Sequence, residues 1–138
     1  MRSLGLDIGE RRVGVAVSDP LGVHAYPLET LHDIDPEALR EYVSGKVAEG
    51  VREVVIGLPL TMRGREGAQA AVARRYAEAL RALPSLEVIL WDERLSTVEA
   101  TRRLREGGKR RRRAGVDAEA ASLVLQSYLD GKRKAERD

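Results

Sequence analysis

Three carboxylates in this 138-residue sequence combine residue type and position in a way that could do chemistry: Asp7, Glu93 and Asp117. Asp7 interrupts the apolar run Leu4-Gly5-Leu6-Asp7-Ile8-Gly9. An uncompensated carboxylate there would be costly to bury, so either a divalent cation or turn amides must satisfy it. Gly5 and Gly9 remove side chains that would obstruct a phosphate or another stretch of backbone. Glu93 lies in Trp91-Asp92-Glu93-Arg94-Leu95, at the end of an apolar run and before a helix start, where α/β sheets place binding groups. Asp92 beside it could serve equally well. Asp117 opens the last helical pattern, where a plain N-cap would suffice. It also falls on the face of Ala120, Ala121 and Val124, which aims it at a sheet, whereas Glu119 is off that face and is expected to be solvated. Three such acids, if they converge, suit one or two Mg²⁺ or Mn²⁺ ions held by oxygen. Two such ions support in-line attack of water on a phosphodiester.

The charge distribution points to the same class of substrate. The sequence has 24 Lys plus Arg against 22 Asp plus Glu, a net charge of +2. Nine of the basic residues fall between Arg94 and Arg113, against Glu99 and Glu106 only, which leaves 15 basic and 20 acidic residues elsewhere. One cationic segment on an acidic body is the pattern of a phosphate-binding surface. The candidate nucleic-acid contacts are Arg12, Arg94 and the run Lys109, Arg110, Arg111, Arg112 and Arg113. That run sits in an expected basic loop, Gly107 to Gly115, between the second and third acids.

Composition excludes several alternatives. There is no cysteine, hence no disulfide, thiolate nucleophile or cysteine-zinc site, and the two histidines, His24 and His32, are isolated. No stretch approaches the ~20 apolar residues of a membrane span, and no secretory signal opens the chain, so a cytoplasmic protein is expected. The length suits one domain, residues 1–131, followed by a frayed charged tail, 132–138.

The elements that must position the acids are legible in the periodicity. Ser3 to Ile8 and Arg12 to Ser18 predict a hairpin, and His24 to Leu31 a third strand. Asp35-Pro36 starts a helix that runs to Gly50, Val51 to Gly57 reads as a buried strand, and Ala68 to Leu83 as a second amphipathic helix. Leu86 to Trp91 is a fifth strand. Ser96-Thr97-Val98-Glu99 is a capping box opening a third helix that ends at Gly107-Gly108, and Asp117 to Leu129 is the last. The order β-β-β-α-β-α-β-α-α implies an α/β fold with a five-stranded mixed sheet, three antiparallel strands then two parallel, covered by helices.

At these residues the chain resembles the YqgF/RuvX family, which is named for Holliday junction resolvases and for nucleases maturing the 5′ end of pre-16S ribosomal RNA. The resemblance covers nearly the whole chain. It rests on Leu6-Asp7-Ile8-Gly9 with Arg12-Val13-Gly14-Val15-Ala16, Gly57-Leu58-Pro59-Leu60 with Gly64, Asp92-Glu93-Arg94-Leu95-Ser96-Thr97, and Val116-Asp117 with Ala120-Ala121 and Leu125-Gln126-Ser127-Tyr128-Leu129. It implies a ribonuclease H-like fold with Asp7, Glu93 and Asp117 as catalytic acids. Relatives with that fold often carry a fourth carboxylate and an acid at the end of the fourth strand, where this chain has Gly57-Leu58-Pro59.

The leading expectation is a metal-dependent nuclease acting on structured RNA, pre-ribosomal RNA or ribosomal particles, as a monomer or weak homodimer. The nearest alternative is a Holliday junction resolvase cutting branched DNA, which would need a dimer. A second is a noncatalytic nucleic-acid-binding ribosome-assembly factor whose acids are structural. A sugar-kinase-like phosphotransferase shares the Asp-x-Gly motif but needs two lobes, and this chain has length for one.

Overall fold

The computed structural model describes residues 1–92, 102, 105, 106 and 109–137, with side chains in the last stretch described from Ala114 onward. Strands β1 (Arg2–Ile8), β2 (Arg12–Ser18) and β3 (Ala25–His32) come first, then helix α1 (Pro36–Ala48) and strand β4 (Val51–Leu58). Helix α2 (Ala68–Arg81), strand β5 (Glu87–Asp92) and helix α3 (Lys109–Arg137) follow. The five strands form one sheet in the order β3-β2-β1-β4-β5. β1 pairs antiparallel with β2 and β2 with β3, whereas β4 runs parallel to both β1 and β5. This is the mixed sheet that the strand order implies. Of the expected Ser96 to Gly107 helix, Arg102, Arg105 and Glu106 are described and are helical, and its capping box lies outside the described residues.

Alternation along the strands divides the molecule into three layers. Leu4, Leu6 and Ile8 of β1, Val13 and Val15 of β2, and Val54 and Ile56 of β4 form one core with Leu39 and Val43 of α1 and Ala73, Tyr76, Ala77 and Leu80 of α2. Each large side chain buried there contributes roughly 1.5–3 kcal/mol. The Asp35 carboxylate accepts the Ala38 amide at 2.8 Å and so caps α1, worth about 1 kcal/mol.

The other face is covered by α3. Ala16, Val55, Ala121, Val124, Leu125 and Leu129 form its core, with Ile89, Trp91 and Tyr128 packed against it. This face of β1 and β2 is nearly bare because the helix lies directly on the strand backbone. A β-carbon on Gly5 would come within 2.9 Å of the Ala121 carbonyl oxygen and 2.8 Å of Leu125 Cβ. Gly5 therefore admits another backbone rather than a phosphate. Gly9 does the same within its hairpin, where a β-carbon would lie 2.9 Å from the Arg12 carbonyl oxygen.

Three expectations are corrected around α3. The basic run Lys109 to Arg113 is helical, not a loop. Arginine and lysine are good helix formers, and Ala114 extends the run. The break comes at Gly115, with φ 92° and ψ 171°, a conformation that glycine adopts without strain. The Thr30 hydroxyl donates to the Ala114 carbonyl at 2.6 Å and fixes this break against β3. Lys132 to Arg137, expected to fray, continue the helix. Finally, Glu119 is fully buried rather than solvated, as are Ala118 and Ser122. A reading of one inward face cannot foresee this, because α3 is covered on more than its sheet-facing side.

Candidate active site

The register brings two of the three acids together. Asp7 pairs with Gly14 across β1 and β2, and directly opposed residues present their side chains on the same face. On that face a β-carbon at Gly14 would collide with the Asp117 carbonyl oxygen and lie 2.8 Å from the Ala118 amide nitrogen. Asp7 and Asp117 thus share the α3 side of the sheet, and the missing side chain of Gly14 is what lets them do so. Asp7 is half-buried.

Asp117 is not the N-cap. The residue with non-helical geometry is Gly115, so Asp117 sits in the first turn after the break, where backbone amides favour a negative charge. Its Oδ2 lies 3.2 Å from Arg12 Nε. The guanidinium belongs to the start of β2 and is 60% exposed, against 26% for the Asp117 side chain. An open cleft of about 630 Å³ surrounds this pair, lined by Gly9, Glu10, Arg11, Arg12, His32, Asp33 and Asp117. It lies outside the hairpin turn that the Gly9 amide closes on the Arg12 carbonyl at 2.8 Å.

Glu93 and Arg94 lie outside the described residues. β5 ends at Asp92, with Gly57 opposite Trp91 and Leu58 opposite Asp92. β4 separates β5 from β1, so an acid reaching from the end of β5 toward Asp7 must pass over β4 at Gly57, which has no side chain to obstruct it. Trp91 is on the α3 face, where it packs edge-on against Tyr128 at 5.3 Å and donates to Ser127 Oγ at 3.0 Å. Asp92, in register with Leu58 of the opposite core, falls on the other face. No group of three metal-ligating side chains occurs among the described residues.

Sequence reasoning missed His32 and Asp33. They reach the cleft because His32 pairs with Arg12 in the β2–β3 register and the Asp33 amide donates to the Arg11 carbonyl at 2.7 Å. Only strand register could have signalled this.

The sequence profile of the RuvX family, described as Holliday junction resolvase, matches residues 1–131. The chain belongs to this family. A relative from Chloroflexus aggregans is 47% identical over 133 residues, covering 94% of each chain, and one from Desulforudis audaxviator is 46% identical over 136 residues, covering 96% of each. Both carry the name "Putative pre-16S rRNA nuclease". Among solved structures, Thermus thermophilus RuvC in complex with a Holliday junction substrate superposes with a TM-score of 0.56 at 17% identity, covering 96% of both chains. The Fowlpox virus resolvase in complex with Holliday junction DNA gives 0.59 at 11%, covering 96% of this chain and 99% of that one. These likenesses establish the ribonuclease H-like fold.

Proposed function

We propose that this chain is a nuclease that hydrolyses phosphodiester bonds with the help of a divalent cation, acting in 5′-end maturation of pre-16S ribosomal RNA in the cytoplasm. The observation that carries this reading is the placement of Asp7 and Asp117 on one face of the sheet, across the side-chain-free Gly14. Membership of a family whose relatives bear that nuclease name supports this choice of substrate. Residues 1–131 form the nuclease domain in this reading.

Asp7, Glu93 and Asp117 would hold Mg²⁺ or Mn²⁺. The donor set fits, since it consists of carboxylate oxygens with no thiolate available in the chain. The cation would supply Lewis-acid stabilisation of charge developing on the phosphate oxygens. Arg12, mostly exposed beside Asp117, would hold a phosphate of the bound strand. Arg94 and the helical run Lys109 to Arg113 would extend that grip along the polyanion. Gly57, on the strand between β1 and β5, presents no side chain between Asp7 and the end of β5.

Asp7→Asn keeps the shape of the side chain and removes its charge. It is expected to fold normally, by circular dichroism and thermal melting, and to lose Mn²⁺-dependent cleavage of pre-16S ribosomal RNA by at least about a hundredfold. Full cleavage by this variant would overturn the assignment. The family description favours a second reading, resolution of four-way DNA junctions. Symmetric nicking of such a junction by a dimer, with ribosomal precursor left intact, would select it.

A further inference from the structure

We propose that the turn between β4 and α2 is a second nucleic-acid grip, in which Met62 packs against bases next to the phosphate being cut while Arg63 and Arg65 hold the flanking phosphates. This rests on the nuclease reading for its substrate. Its physical basis is independent of the carboxylates.

Met62 is entirely exposed, at 101% relative accessibility. A lone exposed apolar residue on a floppy loop would mean little. This one is held in place. Thr61 and Gly64 close a β-turn, with the Gly64 amide on the Thr61 carbonyl at 2.8 Å. The Thr61 amide donates to the Arg65 carbonyl at 2.8 Å, and the Arg65 amide to Thr61 Oγ1 at 3.1 Å. Leu60 and Glu66 bridge at the base, and Gly64 takes φ +77°, the left-handed geometry that the turn requires. Glu66 is clamped by Arg74 through two hydrogen bonds of 2.6 and 2.7 Å, which hold its carboxyl below the usual range and neutralise it. Arg63 and Arg65 therefore set the charge of the turn, and both are exposed.

The turn also stands at the end of the sheet that carries the proposed catalytic acids. It leaves the sheet at the carboxyl end of β4, the edge at which β1 carries Asp7 and β5 ends. Gln69 Nε2, just beyond it, lies 3.4 Å from Glu10 Oε1 on the lip of the cleft. Apolar side chains accompanied by basic residues are what minor-groove DNA binders insert between base steps, and a hydrogen-bonded turn could present Met62 to an RNA in the same way. Arginines pair with the polyanion on either side.

The test is binding of end-labelled ribosomal precursor RNA with 2-aminopurine at the cleavage site, in EDTA so that no cleavage occurs. Met62→Ala is expected to weaken binding about tenfold with no change in salt dependence, and to abolish the rise in 2-aminopurine fluorescence. Met62→Leu should retain both. Arg63→Ser with Arg65→Ser should instead reduce the slope of log affinity against log salt by about 1.4 to 1.8. All three variants should melt at the wild-type temperature, because Met62, Arg63 and Arg65 are exposed and none packs in either core. Unchanged affinity and fluorescence response in Met62→Ala would overturn the proposal. Undiminished cleavage by Asp7→Asn would overturn the nuclease reading instead, and would leave the binding results to stand or fall alone.

Discussion

Gly14 of β2 lies directly beneath the backbone of Asp117, so closely that a β-carbon on the glycine would overlap the aspartate's carbonyl oxygen. The strand and the helix touch backbone to backbone, and this contact fixes the height of Asp117 above Asp7. Gly14→Ala must therefore lift α3 or bend β2. Overpacking of this kind costs about 1–3 kcal/mol, read by urea denaturation. Because the atoms in the way are backbone of Asp117 and Ala118 rather than a flexible side chain, activity should fall further than stability explains, even well below the melting temperature.

Gly45 is the converse case. It lies inside α1, and a β-carbon there would meet nothing within 4 Å. Gly45→Ala should stabilise the protein by about 0.5–1 kcal/mol through helix propensity alone. Urea denaturation should show this gain with cleavage rate unaltered, which makes it a control for Gly14→Ala.

Arg12 and Asp117 form an ion pair that is open to solvent on the arginine side. Exposed pairs contribute about 0–1 kcal/mol, so Arg12→Ser should shift stability by no more than that. If the guanidinium serves the substrate, the same variant should weaken RNA binding and lower its salt slope by about 0.7–0.9, the signature of one phosphate contact. Anisotropy titrations at several salt concentrations measure both. A loss of stability without a change in slope would assign Arg12 to the fold instead.

At the opposite end of the sheet, Glu53 is buried and bonded to Ser3 Oγ at 2.5 Å and Tyr128 OH at 3.1 Å, with Lys132 Nζ at 3.7 Å. It ties β1 and β4 to the far half of α3. Tyr128→Phe should cost about 1 kcal/mol. Glu53→Ala, which strands its partners, should cost about 3 kcal/mol. Burial first, and then the Glu53 charge, push the Tyr128 hydroxyl up to about 12. The unfolded chain releases that proton near pH 10, earlier than the folded one, so the stabilisation is complete below about pH 10 and is lost as pH rises through 12. The stability gap between wild type and Tyr128→Phe should therefore shrink over that range in alkaline melting curves.

The sequence by itself determined the order and type of the described elements, because each is written in local chemistry. Val13, Val15 and Val17 alternate as a strand does, Asp35-Pro36 starts a helix, and Gly50 stops the pattern of that helix at the positions observed. It also singled out Asp7, since a carboxylate in an apolar run is anomalous whatever the fold. What periodicity could not supply was distance between elements. The placement of Asp117 opposite Asp7 is decided by the β1–β2 register and by the absence of a side chain at Gly14. The entry of His32 into the cleft is decided by the β2–β3 register. Both are long-range pairings that no local window contains. The burial of Glu119, the helical state of Lys109 to Arg113 and the full exposure of Met62 belong to the same class. Accessibility depends on what the rest of the chain packs against, and a residue's type and neighbours in sequence do not carry that information.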